Sequence, residues 1–524
     1  MSVKQVSQNA EVDERLAALV TNANAIRAIA SAVEGTLGPK GLDTMLVDKF
    51  GEVVITNDGV TILNLMEVNH PAARMLINTA RAQQEAIGDG TTTTTVLAGA
   101  LVGTGLDQVV KGVPVARVIE GIRAGVRRAL NYFKEVAQPI EDLTDPLLRQ
   151  VALVAGREHQ DIADLVVEAA RLTGRDKLHD PFFKLADTIS AQVGADNQVF
   201  RGTIINKERM NRDMPREVLN APVLVIDDAL EPEAMEDEAL GTETGFQRYL
   251  ELREQFRANV NKIIEMGVKL VLVDRGVDDE AEEMLTDAGV MVLHRVAHKE
   301  LVRAAEHTGA RALKRTGLRR DAVELSRYLG RAAEVYADEK LEHVRILDGE
   351  GRPMATILVG AATEEVVGER ERIAKDAAAS VQAAVCGGIV PGGGSVELAA
   401  SREVERVRGE VRGMAAYGVE CVVSALQRPF SHIVANAGFN PLEKLGDVLA
   451  TQNERQGTTS LGVDCDTGEV VDMYQLGVID PALVKIHALK AAAEVAEAIL
   501  RIDTIIKKKE NGSQPRAGME PLEL

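Results

Sequence analysis

The order of segments constrains this chain most: two long, helical, alanine-rich arms enclose a middle part of different character. From about residue 12 to 136 apolar residues recur at helical spacing; in "AIRAIASAVEGTLGPKG", Ile26, Ile29, Val33 and Leu37 share one face before Gly38-Pro39 breaks the pattern. The middle holds short β-rich runs, "APVLVIDD", "VKLVLVD" and "VMVLHRV". A helical stretch from Asp278 to Asp287 separates the last two and predicts a βαβ unit over Val268 to Val296. Just before it, Phe246, Tyr249, Leu252, Phe256, Val260 and Ile263 mark an amphipathic helix spanning Phe246 to Met266. After about Ala361 the helical style returns and closes with an apolar stripe of Leu489, Ala492, Val495, Ala496 and Ile499. One domain inserted into another produces this order, with the outer arms folding together.

At 524 residues the chain is long enough for roughly three domains. Aromatic residues make up 3% and Trp is absent, so the cores are built from Ala, Val, Leu and Ile. The formal charge of −20 disfavours general binding to nucleic acid or anionic membrane and leaves room for a local phosphate site. Cys386, Cys421 and Cys465 stand far apart without metal-ligand spacing, which fits a reducing compartment. The first residues show no apolar signal core, and no run of about 18 apolar residues occurs. The expectation is a cytoplasmic protein with no membrane or nucleic-acid partner.

Five consecutive threonines in "AIGDGTTTTTVLAGALV" follow a Gly88-Asp89-Gly90 turn and open an apolar helix. Backbone amides, the positive end of the helix dipole and the hydroxyls of Thr91, Thr92 and Thr93 would converge there, which suits phosphate. Asp89 offers a hard oxygen for Mg²⁺. A threonine-capped helix start is the competing explanation, although one hydroxyl suffices for a cap. The turn in "GTLGPKGLDTM" lays backbone against phosphate or simply ends a helix. Gly392, Gly393 and Gly394 in "VPGGGSVEL" admit a ribose or base, or form a hinge. Asp58 in "TNDGVT" and Asp376 in "ERIAKDAAAS" either orient a water for attack on a γ-phosphate or serve as a turn aspartate and a solvated helix position. The segment "EVVITNDGVTIL" itself reads as a hairpin around Asn57-Asp58-Gly59. Asp480 in "LGVIDPALV" reads as an N-cap ahead of Pro481 or as a ribose contact.

Taken in order, "LGPKGLDTML", "TNDGVTIL", "GDGTTTTTVLAGAL", "ERIAKDAAASVQAAVCGGIVPGGG" and "GVIDPALVKIHALKAAAEVAEAILRID" resemble the chaperonin family over nearly the whole chain. The resemblance implies a multidomain α and α/β fold: a mainly helical equatorial ATPase domain, a small α/β intermediate domain and an apical α/β domain with a helical protrusion. The implied boundaries are 1–136 and 393–524 (equatorial, with a mobile tail from about 507), 137–202 and 359–392 (intermediate), and 203–358 (apical, with a lid protrusion at about 230–262). The inner part looks like the group II, thermosome-type apical domain with a built-in lid. Asp480 where group II members usually carry Glu, and the short loop "AGREHQD", place the resemblance with the bacterial group III branch.

The resemblance further implies that Leu37, Gly38 and Pro39 wrap the phosphates, that Gly90, Thr91, Thr92 and Thr93 bind phosphate oxygens, and that Asp89 holds Mg²⁺. Asp58 and Asp376 would position the attacking water, Gly393 and Asp480 the ribose, with Asp464 and Cys465 near the adenine. Arg157 would stand where thermosomes use a lysine that senses the γ-phosphate. ATP and Mg²⁺ are the implied cofactors, with K⁺ as a further candidate. The implied function is an ATP-dependent chaperone: stacked rings of this chain capture unfolded or partly folded clients, and a built-in lid closes over them without a co-chaperonin. The acidic run "EPEAMEDEA" would be a solvated surface of that protrusion. Rival readings are a group I-like chaperonin needing a separate co-chaperonin, a small-molecule kinase, and a catalytically dead scaffold ring.

Overall fold

The computed structural model describes residues 4–7, 10–12, 15–47, 51, 53–234, 242–454 and 459–508. The chain folds into two compact units, Met1–Ile140 with Gly387–Leu524, and Glu141–Cys386. The outer arms thus meet in one unit, as insertion requires.

The outer unit is built on long helices, Arg15–Glu34, Pro71–Ala86, Thr91–Val110, Val115–Val136, Ser395–Arg408, Ala415–Asn436 and Ala482–Leu500. Their shared core joins both arms: Ile26, Ile29 and Val33 pack with Leu97, Leu101, Ile122 and Phe133, and with Val422, Leu489, Ala492 and Ile499. Small residues let these helices approach closely. At Gly121 and Gly418 a Cβ would lie 1.9 and 2.1 Å from facing backbone oxygens, so neither helix tolerates a side chain there. The first helix ends at Glu34, and Leu37 lies beyond it in the following turn.

Two expectations for this unit are corrected. The hairpin expected around Asn57-Asp58-Gly59 lies earlier, between strands Thr44–Val47 and Val53–Thr56. Asp58 instead caps the helix Gly59–Leu65, accepting from the Val60 and Thr61 amides at 3.4 and 3.0 Å. An aspartate ahead of a helix can satisfy amides that a tight turn would leave open, and the cap prevails over the turn signal. The first residues of the tail expected from about 507 also lie in a strand, Ile506–Lys508, which pairs antiparallel with Ala10–Val12. Residues 509–524 lie outside the described residues.

The inner unit holds an eight-stranded mixed sheet in the spatial order Ile189–Val193, Ala355–Ala361, Gln198–Ile205, His343–Gly349, Gly330–Asp338, Glu217–Ile226, Leu270–Val273, Met291–Leu293. The last three strands are parallel, and the helix Asp279–Asp287 connects the last two, as the βαβ reading expects. Their continuous apolar character follows from burial on both faces. Val223, Val225, Leu270 and Leu272 face Leu301 and Ala304, whereas Leu224, Ile226, Val271 and Val273 face Phe256, Val260, Ile263 and Leu285. The sequence-based boundaries at 202/203 and 358/359 fall within strands of this one sheet.

The amphipathic helix runs from Glu243 to Glu265, and the Thr242 hydroxyl accepts from the Gly245 amide. It divides along its length: Leu252, Phe256, Val260 and Ile263 are buried, whereas Phe246 is 51% and Leu250 40% exposed. Residues 235–241, which hold much of the acidic run and part of the expected protrusion, lie outside the described residues. No helix among the described residues is long and apolar enough to cross a membrane.

Candidate functional site

Within the outer unit the separate motifs become neighbours. The Gly88-Asp89-Gly90 turn leaves the helix Pro71–Ala86 with both glycines at positive φ (84° and 81°), a conformation L side chains rarely adopt. The next helix starts at Thr91, and Gly90 as its N-cap supplies no side-chain acceptor. The first backbone bond of that helix is Thr94 N–H to the Gly90 carbonyl at 2.9 Å. The amides of Thr91, Thr92 and Thr93 precede that bond and keep their donors for other partners.

The threonine hydroxyls sort into two groups. Those of Thr94 and Thr95 donate to the carbonyls of Gly90 and Thr91, each at 2.9 Å, which spends them inside the helix. The first three are not spent in this way among the described residues. The Thr92 hydroxyl faces Gly59, where a Cβ would stand 2.3 Å from its Oγ1 and 3.4 Å from that of Thr91. The glycine after Asp58 thus keeps open the space beside these hydroxyls.

Buried side chains hold this geometry. Gln83, 2% exposed, donates from Nε2 to the Asp89 carbonyl at 2.8 Å, while its own carbonyl accepts from Ile87 N–H at 2.9 Å. The Asp89 carboxylate accepts from the Gly90 amide at 2.5 Å. Asp58 is fixed by the cap bonds and by the Thr61 hydroxyl, which donates to Oδ2 at 2.6 Å.

The Leu37-Gly38-Pro39 turn is pinned by the helix Ala415–Asn436: the Asn436 amide group donates to the Glu34 and Leu37 carbonyls at 3.0 and 2.9 Å, and Ile433 packs against Gly38. The same helix presents Phe430 to Gly394. Lys40 reaches across to Asp466 at 2.5 Å, in the turn that follows Asp464 and Cys465. That turn joins strands Leu461–Val463 and Val470–Asp472. Met473 packs against both Gly393 and Gly462, so one thioether joins the glycine turn to this hairpin. Hydrogen bonds, first from the Asp466 amide and then from Thr467, hold the Asp464 carboxyl below its ordinary range. Burial and the neighbouring carboxylates Asp464 and Asp466 push the Cys465 thiol up.

The N-cap reading of Asp480 is corrected. Asp480 sits in the strand Ile479–Pro481 paired with Ile389–Pro391, and the helix begins at Ala482 with Pro481 as its cap. Its carboxylate instead pairs with Lys485 at 2.7 Å and lies 3.1 Å from where a Cβ on Gly392 would be. Val484, next to Lys485 in the helix that follows, packs against Gly90 and ties that helix to the start of the threonine helix. The outer unit therefore assembles Leu37, Gly38, Pro39, Asp58, Asp89, Gly90, Thr91, Thr92, Thr93, Gly393, Asp464, Cys465 and Asp480 around packed, hydrogen-bonded supports. Gln83, Asn436, Met473 and Lys485 are supports that the motif reading missed.

Asp376 and Arg157 belong to the inner unit. Arg157 and Glu158 both adopt positive φ (51° and 64°) in the loop between helices Pro146–Ala155 and Gln160–Thr173. Backbone held this way by non-glycine residues is strained and clusters at functional loops. The Arg157 guanidinium bonds Glu369 at 2.6 Å and lies 3.9 Å from Asp376 on the helix Glu364–Gly387.

A helix start rich in donors, with a carboxylate in the turn before it, thus sits in an outer unit whose two arms enclose an inserted inner one. Residues 29–510 match the TCP-1/cpn60 chaperonin family. The chain is 36% identical over 523 residues to the thermosome subunit beta of Archaeoglobus fulgidus, covering 95% of this chain and 94% of that one. It is 35% identical to the thermosome subunit alpha of Thermoplasma acidophilum, covering 95% and 92%. Its fold matches a group III chaperonin in the open state with a TM-score of 0.85, at 48% identity over 94% of this chain and 99% of that one. The chain belongs to the TCP-1/cpn60 chaperonin family and is a group II-like chaperonin, a molecular chaperone of protein folding.

Proposed function

We propose that this chaperonin binds ATP at the start of the threonine helix and uses its hydrolysis to drive a folding chamber. The observation that carries the reading is the division among the threonines: the hydroxyls of Thr94 and Thr95 are consumed by their own helix, while Thr91, Thr92 and Thr93 keep amides and hydroxyls for a ligand. Donors alone suit an anion, and Asp89 adds the hard oxygen that Mg²⁺ requires. When bound, Mg²⁺ would neutralise phosphate charge. The protein does the rest. Leu37 to Pro39 and Gly90 to Thr93 hold the phosphates, Asp480 and the floor at Gly393 receive the ribose, and Asp464 and Cys465 flank the base. Asp58 and Asp376 orient the attacking water. Arg157, leaving Glu369, reports the γ-phosphate.

Folding work needs a state change, and ATP shifts it only through contacts that differ between states. The built-in lid is the helix Glu243–Glu265: its inner half is anchored in the domain core, and its first turns present Phe246 and Leu250 outward. Assembly into stacked rings is supported by the hairpin Thr44–Val47/Val53–Thr56. Leu46 packs on the core, while the directly paired Met45 and Ile55, and Val47 and Val53, expose one apolar face of 53 to 62% accessibility. A contiguous apolar face of this kind calls for a protein partner. The relatives are thermosome subunits, which favours an integral lid over a separate co-chaperonin and leaves the kinase reading without support.

Phosphate release from ATP, measured beside sizing chromatography with light scattering, tests the proposal. Large rings that hydrolyse ATP, and lose hydrolysis on Asp376→Ala, are expected. Full hydrolysis by a monomer or dimer, or a parental rate in Asp376→Ala, would refute it.

A further inference from the structure

Behind Asp480 lies a charge arrangement that the motifs do not predict. Lys485 is 8% exposed and Glu397 is 1% exposed, so both are removed from water. The Lys485 ammonium bonds Asp480 Oδ2 at 2.7 Å on one side and Glu397 Oε1 at 2.8 Å on the other. Glu397 belongs to the first turn of the helix Ser395–Arg408 that follows the glycine turn, and beyond the ion pair with Lys485 neither of its carboxylate oxygens has a hydrogen-bond partner among the described residues. Asp480, by contrast, keeps a partly exposed side chain at 22%. The charged chain of three thus runs from a sealed end, Glu397, through Lys485 to an open end, Asp480, which faces Gly392.

Burying three charges is costly, and two carboxylates against one ammonium leave an excess negative charge. A neutral cluster of the same volume would hold the helix start as well or better. What the charged cluster supplies is direction. A lysine is a point charge on a flexible stem, and by itself it does not fix a carboxylate. Here the stem is buried and the ammonium is held from behind by Glu397, so Asp480 Oδ2 is committed to Lys485 and the carboxylate is held beside Gly392.

We propose that Lys485, anchored by Glu397, is a positioning residue that orients Asp480 to accept the ribose hydroxyls of the nucleotide. The proposal rests on the ribose reading of Asp480. It adds that the strength with which the site distinguishes ribose from deoxyribose is set by two side chains that do not touch the sugar. Hydrogen bonds to a charged group contribute enough that losing one from a site built for it costs about ten-fold or more in affinity.

The test compares KM for ATP with KM for 2′-deoxy-ATP and 3′-deoxy-ATP in the full-length protein. Asp480→Ala is expected to bring the ratio for at least one analogue close to one, and Lys485→Met to lower the same ratio several-fold. Lys485→Arg should restore part of it. The double variant Asp480→Ala/Lys485→Met should discriminate no worse than Asp480→Ala alone, because Lys485 acts through Asp480. Glu397→Gln, which leaves Lys485 in place but loosens its anchor, answers the question if Lys485→Met loses the parental circular dichroism spectrum; it should lower the ratio as well. Asp480→Ala with the parental ratio would refute the ribose reading and the proposal with it. Loss of discrimination in Asp480→Ala but the parental ratio in folded Lys485→Met, or in Glu397→Gln, would overturn the positioning role alone.

Discussion

Asp58 is both a helix cap and a proposed water-positioning carboxylate, and the two roles separate under substitution. Its Oδ2 takes the Thr61 amide at 3.0 Å and the Thr61 hydroxyl at 2.6 Å, whereas Oδ1 takes the Val60 amide at a long 3.4 Å. In Asp58→Asn the single side-chain oxygen would turn to Thr61 and forfeit only the weak bond. Asparagine caps helices about as well as aspartate, so stability should fall by roughly 0.5 kcal/mol or less, while Asp58→Ala should cost about 1 kcal/mol. Turnover should respond in a different proportion. A carboxylate that activates a nucleophile contributes about a hundred- to ten-thousand-fold, which is roughly 3 to 5 kcal/mol of activation free energy. Asp58→Asn is therefore expected to stay near the parental melting temperature by far-UV circular dichroism and to lose at least a hundred-fold in phosphate release at saturating ATP. Turnover within two-fold of the parent in a folded Asp58→Asn protein would show that Asp58 is a cap and nothing more.

Three further outcomes follow from the geometry. Gly59→Ala places a methyl group 2.3 Å from the Thr92 hydroxyl and forces that hydroxyl to turn away; ATP affinity by calorimetry should drop about ten-fold, one charge-assisted hydrogen bond, while the gain in helix propensity offsets part of the steric cost and keeps the melting temperature near the parent. Met45→Lys with Ile55→Lys puts two like charges on directly paired positions of the exposed hairpin face, and light scattering should show smaller assemblies. The inner unit should lose stability in mild acid. His343 is 1% exposed, its Nδ1 meets Gln192 at 2.8 Å and its Nε2 accepts from Arg345 at 2.9 Å. Burial first, then the Arg345 charge, lowers its pKa from 6.5 to about 4. The unfolded chain therefore takes up the proton first: stability is complete above about pH 6.5 and is lost as pH falls toward 4, by about 3 kcal/mol at one such shift. Denaturant titrations at pH 7.5 and 5 should show the loss, and His343→Gln should reduce it.

Local patterns revealed what local physics controls. The nested order, the βαβ unit and the helix starting at Thr91 were legible, because periodicity and turn chemistry act over a few residues. Asp58 shows where such reading fails: the same Asn-Asp-Gly triplet serves a turn or a cap, and only the three-dimensional course of the Thr61 amide decides. Asp480 fails for a different reason. Its strand exists because Ile389–Pro391 lies beside it, and its charge partner Lys485 is buried against Glu397, far away in sequence. Asn436 holding Leu37 and Lys40 holding Asp466 are likewise products of the two arms meeting. Local patterns thus revealed the candidate site residues and concealed most of their supports, which reach them from across the chain.

The central claim is that ATP at the threonine helix drives folding by this chain without a helper. Its most direct test is the refolding of a chemically denatured client by the purified protein alone, with and without Mg-ATP, scored by recovered client activity. The account predicts recovery well above the spontaneous yield only when ATP is present, and its loss in Asp376→Ala. The same yield with and without ATP, or recovery only after another protein is added, would contradict it.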